Sequence, residues 1–121
     1  MSLLAILTAV VSLGLGLTRP PYLGVACHTA NVTVCGRVGV AVWVASPASA
    51  IEVTVRGVRV RLRPTGGRRL PWIGFVHLPL QAMGIPPGWA GVRPISIRVR
   101  ILRAGRWQSA WVRTLLRPGW G

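Results

Sequence analysis

The run Ile51-Glu52-Val53-Thr54-Val55-Arg56-Gly57-Val58-Arg59-Val60-Arg61-Leu62-Arg63 decides the fold. Apolar and polar side chains alternate on both sides of Arg56-Gly57, the period-two signature of two half-buried strands joined by a tight turn. With Arg56-Gly57 as a two-residue loop, Val55 faces Val58, Val53 faces Val60 and Ile51 faces Leu62, so all these apolar residues share one face. The same register sets Thr54 opposite Arg59 and Glu52 opposite Arg61 on the other face. Glu52 is the single acid among 121 residues, and an ion pair with Arg61 is expected. An exposed cross-strand pair contributes only ~0.2–1 kcal/mol, so Glu52→Gln is expected to be mild.

The alternation continues on either side of this hairpin. Val38, Val40, Val42 and Val44 mark a longer core strand, with Trp43 on the opposite parity, and Val32 and Val34 mark a short strand beside Cys35. Ser46-Pro47-Ala48-Ser49 reads as a turn, residues 64–69 as a polar loop, and residues 72–80 as a strand interrupted by Pro79. Residues 81–94, rich in Pro and Gly, form an irregular connection. Ile95, Ile97, Val99 and Ile101 alternate with outward Ser96, Arg98 and Arg100. Arg103-Ala104-Gly105-Arg106 is a second hairpin turn leading into a last strand over residues 107–116.

Short strands with turns every 8–12 residues predict an all-β fold, a small antiparallel β-sandwich over residues 27–121, with a small barrel as the alternative. The run Arg37-Val38-Gly39-Val40-Ala41-Val42-Trp43-Val44, the 51–62 hairpin and the closing pair 95–102 and 107–116 together resemble an immunoglobulin-like module of exported bacterial proteins. That resemblance implies a core Trp at Trp43. Cys27 and Cys35 lie too close in sequence to form the inter-sheet bridge of antibody domains, so variable-domain recognition is not carried over.

Residues 3–17 are an apolar stretch of about 22 Å as a helix, short of a roughly 30 Å hydrocarbon core, and suit a secretory signal better than a transmembrane span. Arg19, Pro20-Pro21 and the small residues Gly24 and Ala26 follow, with cleavage expected before Cys27. Residues 1–26 are therefore read as a signal peptide or membrane anchor, and the protein as extracytoplasmic, either secreted or membrane-anchored, with a buried N-terminal helix or strand of a cytoplasmic protein as the alternative. Two cysteines behind an export signal predict a Cys27–Cys35 disulfide.

Fifteen basic residues, all Arg, give a net charge of +14. With no Asp, a Ser-His-Asp triad, paired-carboxylate hydrolysis and carboxylate-bound metals lack their parts. Cys27, His28, Cys35 and His77 show no metal-ligand spacing. The expectation is a protein with no catalytic residues, no cofactor, no metal and no specific small-molecule substrate. The positive feature is arginine in strand alternation: Arg59, Arg61 and Arg63 on one strand, Arg98 and Arg100 on another. If these strands share a sheet, they form an outward cationic plate able to grip anions through bidentate guanidinium contacts. The competing reading is a solvated face whose arginines stack on Trp43, Trp107 or Trp111. The expected partner is an anionic envelope polymer, a lipid surface or an acidic protein subunit; nucleic acid is disfavoured by the export signal.

Overall fold

A computed structural model describes residues 14–27, 35–67, 69–86, 89 and 91–120. The fold is all-β, with strands β1 (Tyr22–Val25), β2 (Arg37–Val42), β3 (Ala50–Val55), β4 (Val58–Arg61), β5 (Arg63–Pro64), β6 (Trp72–His77), β7 (Arg93–Arg103) and β8 (Arg106–Arg117). Their order is β4-β3-β7-β8-β1-β2-β6-β5. Two antiparallel groups, β4-β3-β7-β8 and β1-β2-β6-β5, are joined by a parallel ladder in which Tyr22, Leu23 and Gly24 pair Leu115, Leu116 and Arg117.

The all-β expectation is met: hydrogen bonding runs through all eight strands as one mixed sheet, nearly closed into a barrel. The physical reason lies in one short segment. β4 and β5 are separated only by Leu62, yet β4 pairs with β3 at one end of the strand order and β5 pairs with β6 at the other. At the crossing, Leu62 points inward and is buried. Gly74 on β6 faces it so closely that a Cβ there would stand 2.7 Å from a Leu62 methyl.

Both hairpin readings hold. Val55 pairs Val58 across Arg56-Gly57, whose φ angles of 50° and 82° are those of a primed two-residue turn. Arg103 pairs Arg106 across Ala104-Gly105, with φ angles of 49° and 73°. Inward residues of every long strand meet in a single core containing Val38, Val40, Val42, Ile51, Val53, Ile97, Val99 and Ile101. Leu80, at the end of the stretch read as an interrupted strand, and Ile85, from the connection expected to be irregular, belong to the same core. Trp43 lies outside it, half-buried at the end of β2, with the Arg19 guanidinium 4.6 Å from its ring centre. The position of a core Trp is therefore not Trp43's. The short strand expected at Val32 and Val34 lies outside the described residues.

Residues 14–26, expected to belong to a leader or anchor, are built into the domain. β1 fills the middle of the strand order between β8 and β2, and Leu15, Leu17, Leu23 and Val25 are core residues. Leu17 bridges Val44, and Gly16 O accepts from Ala45 N at 2.8 Å. Arg103 reaches back from the β7–β8 turn to donate to Leu15 O at 2.7 Å. The buried Thr114 hydroxyl donates to Pro21 O where β1 begins its parallel run beside β8. No helix among the described residues is long and apolar enough to cross a membrane.

A Cys27–Cys35 disulfide clips the connection between β1 and β2. It acts just beyond the last rung of that ladder, where Ala26 N donates to Arg37 O at 2.8 Å. Closing so short a loop restricts the unfolded chain by about 2.5 kcal/mol. Cys35→Ser is expected to lower stability by roughly that amount while leaving the β signal of the folded state intact, as measured by denaturant unfolding followed by circular dichroism.

Candidate functional site

The ladders of β4, β3, β7 and β8 arrange the outward side chains in rows. One row reads Arg59, Thr54, Arg98, Trp111; the next reads Arg61, Glu52, Arg100, Ser109. Strand spacing makes each row about 14 Å long. Four of the five arginines singled out in the sequence therefore share one face. The fifth, Arg63, is exposed on β5 opposite Ile73 and belongs to the far end of the strand order. It stands just past the Leu62 crossing from Arg61 and is not a hydrogen-bonded member of either row.

The single carboxylate chooses a different partner from the one expected. Glu52 is opposite Arg61 in the hairpin, as predicted, but its Oε2 accepts from Arg100 Nη1 at 3.1 Å across the other ladder. A central strand offers an outward residue two cross-strand neighbours, and hairpin reasoning sees only the local one. Arg100 is also stacked over Trp107, 4.5 Å from the ring centre. Its side chain is 29% exposed and that of Glu52 16%, so this pair is partly buried. Removing the acid would leave Arg100 without its ion-pair partner. Glu52→Gln is accordingly expected to cost about 1–3 kcal/mol, above the range for an exposed pair, as read from the denaturant midpoint.

The face divides into two kinds of arginine. Arg100 belongs to the scaffold, held by Glu52 and Trp107. Arg59, Arg61 and Arg98 are exposed, and Arg98 makes one long contact, 3.4 Å from Nη2 to Ser109 Oγ. The stacking reading is met at Trp43, by Arg19, and at Trp107, by Arg100. Arg37 lies over Phe75 and Arg117 over Tyr22 in the same manner. Among the described residues no guanidinium lies over Trp111, which is 65% exposed.

Residues that sequence reasoning passed over extend the face. Arg113 is the exposed register partner of Ser96. Beside Trp111, a cleft is lined by Thr54, Arg56, Arg93 and Ser96, with Met83 and Ile85 among its apolar walls. Arg56 had been read as a turn residue and Arg93 as part of a loop. Only the fold sets the β3–β4 turn next to the start of β7. Comparison with protein-family models, curated proteins and solved structures finds no match to the chain.

Proposed function

We propose that the chain is a non-enzymatic, exported domain of immunoglobulin-like architecture that holds anionic polymers or lipid headgroups at the cell envelope. The observation carrying this reading is the pair of rows on β4-β3-β7-β8. Three exposed arginines, Arg59, Arg61 and Arg98, stand together, while the only acid of the chain is already taken by Arg100. A face with so little counter-charge of its own attracts polyanions over long range and grips them through guanidinium forks.

The architectural part is supported by strand order. Lettered A, B, C, C′, D, E, F, G in chain order, the eight strands give A-B-E-D and G-F-C-C′, the two groupings of immunoglobulin domains. Export is supported by the disulfide, which persists in oxidising compartments. Because β1 is part of the core, processing is proposed upstream of β1 rather than before Cys27.

The test is an Arg59→Gln, Arg61→Gln, Arg98→Gln variant, which leaves Arg100 and its contacts in place. Its thermal unfolding is expected to match the parent, since these side chains are exposed and lack strong partners. Its affinity for polyphosphate or anionic vesicles is expected to fall severalfold, and the slope of log affinity against log salt to shrink by about one per lost contact. Unchanged affinity in a stable variant would overturn the reading. Tight binding that resists salt, to an acidic protein instead of a polymer, would favour the alternative of a subunit in a larger envelope complex.

A further inference from the structure

The cleft beside Trp111 carries the inference furthest. Resting on the anion-binding reading of the face, we propose that it is a sugar-ring subsite. One pyranose of an anionic polysaccharide stacks on Trp111, and its carboxylate is held by Arg56 and Arg93.

Among the described residues Trp111 is the most exposed of the large hydrophobic side chains, and it sits mid-strand on β8, paired through its backbone with Arg98. It is therefore a rigid platform rather than a mobile loop residue. Trp107 and Trp43 are capped by guanidinia, whereas the Trp111 ring is open among the described residues. The indole face carries the negative lobe of its quadrupole and suits an apolar, slightly positive C–H surface. A pyranose presents such a surface on the side of its axial hydrogens. Thr54 and Ser96 line the same cleft and supply hydroxyls for the ring's hydroxyl groups. Arg56 and Arg93 supply forked donors matched to a carboxylate.

The alternatives fit less of this set. A polyphosphate or a phospholipid headgroup satisfies the arginines and leaves the indole and hydroxyls unused. Single-stranded nucleic acid stacks successive bases on successive aromatic rings, and among the described residues this face has one open ring. From Trp111 the polymer would continue along the row over Arg98 towards Arg59.

Arg56 adds a discriminating handle. Its φ of 50° is a left-handed conformation in which Asn is preferred to Arg. Arg56→Asn should therefore keep or raise stability, and under this proposal it should weaken binding of a polyuronate.

The experiment uses the full chain and isothermal titration calorimetry, with an oligogalacturonate, a polyphosphate of matched charge and a single-stranded oligonucleotide as probes. Trp111→Ala is expected to weaken oligogalacturonate binding about tenfold, the scale of one aromatic stack, and polyphosphate binding less than about twofold. Trp111→Tyr is expected to restore most of the loss. The Arg59, Arg61, Arg98 variant is expected to weaken both polyanions. If Trp111→Ala leaves oligogalacturonate binding unchanged while the arginine variant weakens both ligands, the sugar subsite is overturned and the anion-binding face stands. If the arginine variant changes neither, the face reading itself fails. Tighter, Trp111-dependent binding of the oligonucleotide would overturn the polysaccharide in favour of base stacking.

Discussion

A chain lacking residues 1–26 is expected not to fold. That deletion removes β1, which links the two antiparallel groups, and with it Leu15, Leu17, Leu23 and Val25 from the core. Each such side chain contributes about 1.5–3 kcal/mol on burial, against a total stability of roughly 5–15 kcal/mol for a domain. The loss also exposes the inner edges of β8 and β2, whose backbone groups pair with β1, and unpaired edges of this kind invite aggregation. Circular dichroism and size-exclusion chromatography of residues 27–121 against the full chain provide the comparison. A monomeric, cooperatively unfolding 27–121 fragment would show that β1 is dispensable. If the chain is exported as proposed, the same physics sets the expected amino terminus upstream of β1, a position that mass spectrometry of the mature form reads directly.

The second large effect concerns a slot on the opposite face. Gly24 on β1 and Gly39 on β2 are register partners, and Phe75 on β6 is the next residue in that row. Two neighbouring outward positions without side chains leave a flat depression, and the end of the chain lies in it. A Cβ on Gly39 would stand 2.5 Å from the Trp120 ring, and one on Gly24 would stand 2.2 Å from Gly119 O. Tyr22 and Phe75 flank the indole edge-on, with ring centroids 5.6 and 5.8 Å away, and the Tyr22 hydroxyl donates to Gly119 O at 3.0 Å.

Gly39→Ala is therefore expected to cost about 1–3 kcal/mol by driving the indole out of the slot. In a Trp120→Ala background the same change should become neutral or stabilising, because glycine otherwise weakens a strand. Denaturant unfolding of the two single variants and the double variant closes the cycle. Additive costs would mean that Trp120 does not occupy the slot in solution.

Much of the architecture was legible because it depends on neighbours in sequence. The hairpins at Arg56-Gly57 and Ala104-Gly105 follow from alternation flanking a turn, since a one-residue slip would send every valine and isoleucine to water. The outward placement of Arg59, Arg61, Arg98 and Arg100 follows from the same parity. The Cys27–Cys35 bridge was legible from two cysteines following an apolar stretch that reads as a leader.

What the tertiary structure alone decided has a common cause: it depends on which distant segments become neighbours. A largely apolar segment has the same composition whether a membrane or a protein core removes it from water, so residues 14–26 read as a leader until β8 and β2 were seen on either side of β1. Glu52 met Arg100 instead of Arg61 because β7 supplied a second ladder that no hairpin pattern contains. Gly24 and Gly39 said nothing by themselves, since an absent side chain acquires meaning only when Trp120 arrives to fill the space. By itself the sequence determined the parity of β2, β3, β4 and β7 and the positive sign of the outer face of β4 and β7. The strand order, the partner of the only acid and the cleft beside Trp111 came from long-range pairing, which local periodicity does not encode.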